Sequence, residues 1–374
     1  MRIAVDAMGG DRAPGAVVEG SLLAAQELGI DIVLVGQREA VERELTRQPL
    51  IKTPSIQVVP ASQTVSMDES PSGALRKKDS SMKVAFELIK QGEVQAVVSA
   101  GNSGALMATG MFVLGNLPQV ERPAILVVVP TPGKGTVIID AGANVDCKPR
   151  HLVQFGLMGS IYAERVLGIP APRVGVLSNG EEEGKGNDLT RAASEQLAST
   201  PLNFIGYVEG RDIFSDRVDV VVSDGFTGNV ALKTMEGVAS FFARVLQETF
   251  QQNTLTRLGY LLSRKSLQQA CARLDHTEYG GAPLLGLAGL AIIAHGGSGP
   301  KAIKNAIRVA KEAVSQDINK HITEVLGGLS GKWNEENSKF PRKIWQRIKS
   351  KIETFSEKPT PERKGTGNIG GGKG

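Results

Sequence analysis

Short apolar segments rich in β-branched residues recur along the chain, with amphipathic stretches between many of them. Several segments are continuously hydrophobic, which is typical of strands buried on both faces of a sheet. The candidate strands are Ile3–Val5, Ile32–Val35, Ile56–Val59, Ala96–Val98, Ile125–Val129, Val137–Ile139, Val174–Leu177, Val218–Val222 and Leu290–Ile293. The clearest helical patterns are Val17–Leu28, Met82–Ile89, Leu189–Leu197 and Lys301–Val314. This alternation predicts an α/β fold, a three-layer αβα sandwich around a largely parallel sheet, with a mixed sheet as the alternative.

Six of the candidate strands run into Gly-rich turns that carry polar side chains. These turns begin at Asp6, Ser99, Asp140, Ser178, Ser223 and His295. In open α/β sheets, ligands bind outside the carboxyl ends of the strands, and glycine lets backbone amides approach an anion. We therefore expect the six turns to share one edge of the sheet and to form a polar cleft suited to an anion. One such turn taken alone would be an ordinary connection.

The polar side chains of these turns are rich in amides and include one lysine and one histidine. They are Asp6, Asn102, Asp140, Asn144, Asn179, Lys185, Asn229 and His295. Asn amides and backbone N–H groups are suitable donors to a developing oxyanion, and Lys185 offers a point charge for a phosphate. No serine or cysteine is evidently activated as a nucleophile. This favours direct attack by a bound substrate, such as inorganic phosphate held in line, over a covalent enzyme intermediate.

Charge is unevenly distributed along the 374 residues, whose formal net charge is +4. The segment 331–374 carries a net charge of +6, so the remainder is slightly acidic at −2. A nucleic-acid partner for the whole fold therefore loses its main support. Cys147 and Cys271 have no metal-ligand spacing and fit a reduced compartment. Asp6 and Asp11 stand where a signal peptide would need apolar residues, so we expect a cytoplasmic location.

Two segments depart from the strand–helix alternation. Residues 235–275 form two helical patterns with a break near Asn253, which predicts a projecting helical hairpin. The pair could be ordinary packed helices, a dimer contact or a tip that touches the membrane. From Lys332 onward, apolar residues at helical spacing alternate with lysines and arginines. This composition is typical of an interfacial membrane anchor, although the stripe could instead pack on the body. We predict a catalytic domain over 1–331 and a basic amphipathic helix with a disordered end over 332–374.

Familiar cofactor motifs are missing from the sequence or stand in the wrong context. The GxGxxG at Gly365–Gly370 follows no strand, and the glycines around Lys185 do not have the spacing of a phosphate-binding P-loop. The four histidines are scattered and no HExxH pattern occurs. We therefore expect neither a bound metal nor a cofactor, although a carboxylate site built from distant loops stays open.

Several longer motifs, in this order, resemble those of one family. They are DAMGGDRAP (Asp6–Pro14), RKKDSSM (Arg76–Met82), SAGNSGAL (Ser99–Leu106), DAGANVDCKP (Asp140–Pro149), NGEEEGKGN (Asn179–Asn187), DGFTGNVALKTMEG (Asp224–Gly237) and GGAPLLG (Gly280–Gly286). Together they closely resemble the bacterial phosphate acyltransferases, which make acyl phosphate from acyl-carrier protein and phosphate for phospholipid synthesis. The resemblance covers residues 1 to about 330. It implies an isocitrate/isopropylmalate dehydrogenase-like fold, a homodimer, and peripheral association with the cytoplasmic face of the membrane.

The resemblance also implies roles for individual residues. Lys185 and Asn229 match positions with a catalytic role. His295 is a third catalytic candidate, which could donate to phosphate or protonate the leaving thiolate. Residues expected to bind substrate are Asp6, Gly9, Gly10, Asn102, Ser103, Gly104, Asn144, Asn179 and Ser298. The departures are small: Ser103 stands for a usual threonine, Gly297 for a usual serine, and Gly184 for a threonine-like residue.

Each of these residues also has a plain structural interpretation. Lys185 could be a solvated loop lysine, Asn229 the N-cap of the following helix, and His295 a turn histidine. Asp6, Asn102 and Asn144 could only brace their loops. Cys147 is expected to be inert core.

The predicted function is transfer of an acyl group from acyl-carrier protein to inorganic phosphate. One rival is another enzyme on the same fold, either a phosphotransacetylase using coenzyme A or a nicotinamide-dependent dehydrogenase. The other rival is a non-catalytic scaffold for lipid enzymes at the membrane surface.

Overall fold

The computed structural model of the chain describes residues 1–48, 56–182, 184–274 and 280–337, and within these it leaves the side chains of 268–274 and 329–337 undescribed. The predicted amphipathic stripe at 340–355, the disordered end and the Cys271 side chain lie outside the described residues. Contacts group Met1–Leu326 into one compact unit, and the described residues from Gly327 onward fall outside it. The predicted boundary at 331/332 stays a prediction.

The described part of the chain contains eleven strands. They are β1 (Arg2–Asp6), β2 (Asp31–Gly36), β3 (Ile56–Pro60), β4 (Ala96–Ser99), β5 (Ala124–Val129), β6 (Thr136–Ile139), β7 (Arg173–Leu177), β8 (Asn203–Val208), β9 (Val220–Val222), β10 (Ala282–Leu285) and β11 (Leu290–Ile293). All nine candidate segments coincide with strands. β8 and β10 were not predicted.

The same residues form eleven α-helices and one 3₁₀ helix. The α-helices are α1 (Gly15–Leu28), α2 (Arg38–Arg47), α3 (Pro71–Arg76), α4 (Ser81–Lys90), α5 (Ser103–Val113), α6 (Pro149–Arg165), α7 (Asp188–Leu197), α8 (Gly225–Gln251), α9 (Thr254–Leu274), α10 (Pro300–Ser315) and α11 (Ile318–Asn337). The 3₁₀ helix is Gly210–Phe214. The four predicted helical patterns fall in α1, α4, α7 and α10. None of the described helices is both long and apolar enough to cross a membrane.

One sheet joins all the strands, in the order β3-β2-β1-β4-β11-β10-β5-β6-β9-β7-β8. Strands β1 to β4 and β11 run parallel, whereas β10 is antiparallel to both of its neighbours, β11 and β5. The β5–β6 pair is also antiparallel, and β9, β7 and β8 then follow β6 in direction. The sheet is therefore mixed, which was the alternative to a largely parallel one.

Helices cover both faces of this sheet. A side chain added at Gly159 of α6 would meet Ile139, whereas Met235 of α8 packs against the cluster that contains Ile138. Successive strand residues point to opposite faces, so α6 and α8 lie on opposite sides of the sheet. Phe86 of α4 joins a further buried cluster. The observed architecture is an αβα sandwich.

The expectation that all six polar turns share one edge is wrong. Three antiparallel pairs, β11–β10, β10–β5 and β5–β6, reverse the strand direction three times. The ends of β1, β4 and β11 therefore lie at one edge and those of β6, β7 and β9 at the other. The candidate residues therefore form two groups. Asp6, Gly9, Gly10, Asn102, Ser103, Gly104, His295 and Ser298 belong to the first, and Asn144, Asn179, Lys185 and Asn229 to the second.

Candidate active site

At the first edge, Asp6 is a buried carboxylate that ties the ends of β1 and β4 together. Its Oδ2 accepts a hydrogen bond from Ser99 Oγ at 2.7 Å, and its Oδ1 accepts one from the Met8 backbone N–H at 3.2 Å. Burial raises the pKa of the Asp6 carboxyl, and hydrogen bonds from Ser81 and Ser99 oppose that rise. These contacts fit the interpretation that Asp6 braces its loop.

Gly9 and Gly10 allow three loops to interlock beside Asp6. A Cβ on Gly9 would lie 2.8 Å from the Gly101 backbone nitrogen, and one on Gly10 would lie 2.9 Å from the Gly296 carbonyl oxygen. Gly10 also has a φ of +99°, which disfavours any side chain. The Asp11 N–H donates to that same Gly296 carbonyl at 2.8 Å. Both glycines are thus required by close backbone approach.

Asn102 caps helix α5 with a side chain whose hydrogen-bonding groups are all in use. Its Oδ1 accepts from the Ala105 N–H at 3.0 Å, and its Nδ2 donates to the carbonyls of Met67 at 2.8 Å and Glu69 at 3.0 Å. Asn caps helices well because its oxygen satisfies an orphan backbone donor. Ser103 and Gly104 follow in the first turn, where Ser103 is exposed and Gly104 half-buried. In this group, Ser103 therefore presents a hydroxyl to solvent, while Asn102 has a structural role.

The turn after β11 presents His295 at the surface and buries Ser298. The Nδ1 atom of His295 accepts from the Gly297 N–H at 3.1 Å, so in the neutral ring the proton resides on Nε2. The Ser298 N–H donates to the His295 carbonyl at 2.9 Å. The turn therefore fixes the orientation of the imidazole.

At the second edge, Asp140 collects five hydrogen bonds in a fully buried position. Its Oδ1 accepts from the N–H groups of Ile125, Gly142 and Ala143 at 3.1, 3.1 and 2.9 Å. Its Oδ2 accepts from the backbone N–H and the side-chain amide of Asn144 at 2.7 and 2.8 Å. The other Asn144 amide proton goes to the Pro123 carbonyl at 2.7 Å. Asn144 therefore braces the loop that follows β6.

Helix α8 begins directly against this loop and carries Asn229 in its second turn. Its N-cap is Asp224, which accepts from the Thr227 N–H at 2.8 Å, so the interpretation of Asn229 as the N-cap is wrong. A Cβ on Gly142 would lie 3.6 Å from the Asn229 side chain. Asn229 is exposed, and its amide makes no hydrogen bond within the described part of the chain. Its donors are available to a ligand.

The loop between β7 and α7 presents Lys185 between two glycines. Gly184 and Gly186 have φ values of +95° and +76°, and Asn179 Oδ1 accepts from the Gly186 N–H at 2.8 Å. The stem of Lys185 lies over Gly180, where a Cβ would come 2.9 Å from Lys185 Cγ. Lys185 is exposed, and its ammonium pairs with nothing in residues 1–48, 56–182, 184–274 and 280–337. Asn179 thus shapes the loop that presents this cation.

Sequence comparison shows to which family this chain belongs. The family described as "Fatty acid synthesis protein" matches residues 1–321. A protein of Geotalea daltonii named phosphate acyltransferase is 55% identical over 327 residues, covering 87% of this chain and 94% of that one. A phosphate acyltransferase of Geobacter sulfurreducens is 52% identical with the same coverage. The chain belongs to the phosphate acyltransferase family.

Solved structures share the fold at low sequence identity. A phosphotransacetylase from Streptococcus pyogenes aligns with a TM-score of 0.56 at 15% identity, covering 84% of this chain and 94% of that one. A 4-hydroxythreonine-4-phosphate dehydrogenase from Klebsiella pneumoniae aligns with a TM-score of 0.51 at 14% identity, with 84% and 99% coverage. These likenesses agree with the αβα sandwich of this phosphate acyltransferase.

Among the three candidate catalytic residues of this phosphate acyltransferase, the sheet brings two to one edge. Lys185 and Asn229 follow β7 and β9, which are neighbouring strands that end at the same edge. His295 follows β11, five strand positions from β7 and at the opposite edge. At about 4.8 Å per strand, that offset alone is roughly 24 Å.

Sequence reasoning missed residues that shape the second edge. Gly225 and Gly228 let α8 approach the β6 loop, because a Cβ at Gly228 would lie 2.0 Å from the Asp140 carbonyl oxygen. Gly180 supports the Lys185 stem in the same way. The repeated glycines of NGEEEGKGN and DGFTGNVALKTMEG were a signal for these close contacts. Which backbone or side chain each glycine approaches is set by the fold and could not be predicted.

Proposed function

We propose that this enzyme transfers a fatty acyl group from acyl-carrier protein to inorganic phosphate. A phosphate oxygen attacks the thioester carbonyl carbon, the carbon–sulfur bond breaks, and the carrier thiolate leaves and takes up a proton. The observation that carries the proposal is the 52–55% identity to proteins named phosphate acyltransferase across 87% of the chain. The Lys185 ammonium and the Asn229 amide, which have no partner among the described residues, lie at one sheet edge and support it.

In this proposal Lys185 and Asn229 act on the reacting atoms. The Lys185 ammonium binds the phosphate, and Gly184 and Gly186 hold it at the tip of its loop. The Asn229 amide donates to the carbonyl oxygen, whose negative charge grows in the tetrahedral intermediate. Because phosphate is already an anion near neutral pH, holding it in line accounts for much of the acceleration.

The remaining candidates take binding or bracing roles in the proposal. His295 lies too far along the sheet to reach the same atoms in one chain, so it would contribute to binding the carrier-linked part of the substrate. Ser103 and Ser298 would accompany it at that edge. Asp6, Gly9, Gly10, Asn102, Gly104, Asn144 and Asn179 would shape the loops around the substrates.

A product assay tests the activity. Purified protein should cleave an acyl-carrier-protein thioester when phosphate is present and form acyl phosphate in equal amount. Lys185→Ala should lower turnover strongly, whereas Lys90→Ala, at an exposed lysine that ends α4, should not. Thioester hydrolysis that does not need phosphate would refute the proposal. Equal use of acyl-coenzyme A would favour a phosphotransacetylase instead.

We further propose that α8 and α9 form a projecting hairpin within an isocitrate/isopropylmalate dehydrogenase-like fold. The 27 residues of α8 span about 40 Å at 1.5 Å each, well beyond the short strands. The Phe250 and Tyr260 rings pack at 5.5 Å and hold the two helices together. Exposed apolar residues line the pair, including Phe241 at 65% and Leu262 at 83% exposure.

Such a surface is typical of an interaction site, so we propose that the helix pair serves a homodimer contact or a peripheral contact with membrane lipid. Sedimentation of the full chain tests the dimer. Flotation with anionic and neutral vesicles tests the lipid contact, which the basic segment 332–374 would strengthen. A monomer that floats with neither vesicle would refute both, and with them the proposed location at the inner membrane face.

A further inference from the structure

Three consecutive glutamates, residues 181–183, precede the lysine that we assign to phosphate and are separated from it by Gly184 alone. A carboxylate that reaches Lys185 would compete with phosphate for the same cation, because both are anions that hydrogen-bond to an ammonium. A phosphate site in this loop therefore needs a means of keeping the glutamates away. For Glu181 the structure contains one.

Two arginines hold the Glu181 carboxylate. Arg217 Nη1 donates to Glu181 Oε1, and Arg211 Nη2 lies 3.8 Å from the same oxygen. The hydrogen bond from Arg217 keeps the pKa of the Glu181 carboxyl below its usual value, so it is ionised and paired at neutral pH. Glu181 is thus held by charge-assisted contacts.

The arginines come from outside the loop that they hold. Both lie in the segment between β8 and β9, and the Arg217 backbone N–H is fixed by Ser215 Oγ at 3.2 Å. Arg217 Nη1 also lies 3.7 Å from Asp212 Oδ2, which orients the guanidinium. The ion pair therefore ties the β7–α7 loop to a different element of the fold.

The far end of the same loop is held separately. Arg191 Nη1 donates to the Gly186 carbonyl at 2.6 Å, and Asn179 accepts from the Gly186 N–H. Lys185 lies between the two fixed points, with an ammonium that pairs with nothing in the part of the chain that is described. One anchor shapes the turn, and the other removes one of the two described carboxylates of the glutamate run, that of Glu181, from competition.

We propose that Arg217 is a positioning residue of the phosphate site: it holds Glu181 in an ion pair and so keeps that carboxylate from competing with phosphate for the Lys185 ammonium. This inference rests on the proposed function. Arg217 need not touch substrate, and its effect is exerted through Glu181. Removing Arg217 should therefore weaken phosphate binding only while Glu181 keeps its charge.

A double-mutant comparison tests this coupling. We expect Arg217→Ala to raise the KM for phosphate about fivefold, equivalent to about 1 kcal/mol, with kcat within about twofold. Adding Glu181→Gln to that variant should restore the wild-type KM. Arg38→Ala, which breaks an exposed Arg38–Glu42 pair of 3.1 Å on α2, serves as the matched control. The effect of Arg217→Ala should shrink at high ionic strength.

Two results would overturn the inference. One is a wild-type KM for phosphate in Arg217→Ala, and the other is a double variant no better than the single one. If Arg217→Ala does not fold, Glu181→Gln alone decides: its KM should equal or fall below the wild-type value, and a rise contradicts the inference. Wild-type protein without phosphate-dependent turnover would refute the proposed function, whereas phosphate-dependent turnover that is indifferent to Arg217 would refute this inference alone.

Discussion

Replacing the buried Asp140 by asparagine should destabilise the protein strongly. The carboxylate accepts five hydrogen bonds and donates none, so all of its neighbours are N–H donors. An asparagine of the same shape must turn its –NH₂ group toward some of them. In the less harmful orientation it faces the two Asn144 donors, and both of those bonds are lost.

The magnitude follows from those two contacts. Hydrogen bonds to a charged group contribute about 1.5–3 kcal/mol each, so their loss amounts to about 3–6 kcal/mol. Removing the charge relieves the desolvation of a buried carboxylate, which offsets part of the loss. We therefore expect the free energy of unfolding to fall by about 3 kcal/mol, a large share of the 5–15 kcal/mol typical of a folded domain.

Equilibrium unfolding in urea measures this difference. Asp188→Asn is the matched control, because Asp188 pairs with Arg191 at 2.6 Å but its side chain is fully exposed, and its loss should change stability by less than about 0.5 kcal/mol. Asp140→Asn should also lower kcat, since the loop it holds packs on the first turn of α8. A variant within about 1 kcal/mol of wild type would show that the five contacts do not stabilise the loop as argued.

Three further predictions concern other described contacts. Gly180→Ala should displace the Lys185 stem and raise the KM for phosphate while the fold persists; an unchanged KM would contradict the stem placement. Asn102→Ala should lower the free energy of unfolding by about 1 kcal/mol through loss of the α5 cap, measured in urea; a neutral result would contradict it. His151, whose Nδ1 accepts from the Lys148 N–H at 3.1 Å, has a pKa that burial lowers below the usual 6.5. The neutral, buried imidazole contributes fully to stability above pH 6.5, and this contribution is lost as pH falls through the lowered pKa. His151→Gln should therefore make the free energy of unfolding depend less on pH below 6.5. Curves of that free energy against pH that run parallel for wild type and variant would contradict this.

The strands could be predicted from the sequence where both of their faces are buried. Continuous apolar runs such as Ala96–Val98 and Val137–Ile139 indicate strands because both faces are covered by helices. β10 escaped because Pro283 argues against a strand, and β8 because Gly206, at a φ of +88°, interrupts its pattern. Local patterns therefore identified most strands and failed where a residue tolerated by the fold is unusual for a strand.

Strand direction was the main failure, and one signal for it was available. Residues 130–135 join β5 to β6, a connection too short for the dozen or more residues of a parallel crossover. That length alone implies an antiparallel pair and moves the turn at Asp140 to the opposite edge. The connection from β10 to β11, residues 286–289, is shorter still and implies a second antiparallel pair, but β10 itself was not predicted. Where the two strands insert between β4 and β5 left no such signal.

The motifs identified the candidate site residues, but they did not show which of these residues have a structural role and which can contact a ligand. Asn102, Asn144 and Asn229 are alike in sequence as amides in Gly-rich turns. In the structure the first two donate their amide protons to backbone carbonyls or to Asp140. The Asn229 amide, in contrast, has no partner among the residues that the structure describes. Hydrogen-bond partners from distant loops make that difference, and a single sequence does not reveal them.

The order of strands in the sheet bears on how the chain acquires its structure during synthesis. Val97 of β4 pairs with Ala291 of β11, and Ile125 of β5 pairs with Leu284 of β10. Until β10 and β11 have been synthesised, β4 and β5 lack the strands that pair with them. Each is then an exposed edge of an incomplete sheet. Bare strands are templates for wrong pairing, and distant pairings form slowly. Nascent chains of this enzyme should therefore depend on chaperones until the segment 282–293 emerges and pairs with β4 and β5.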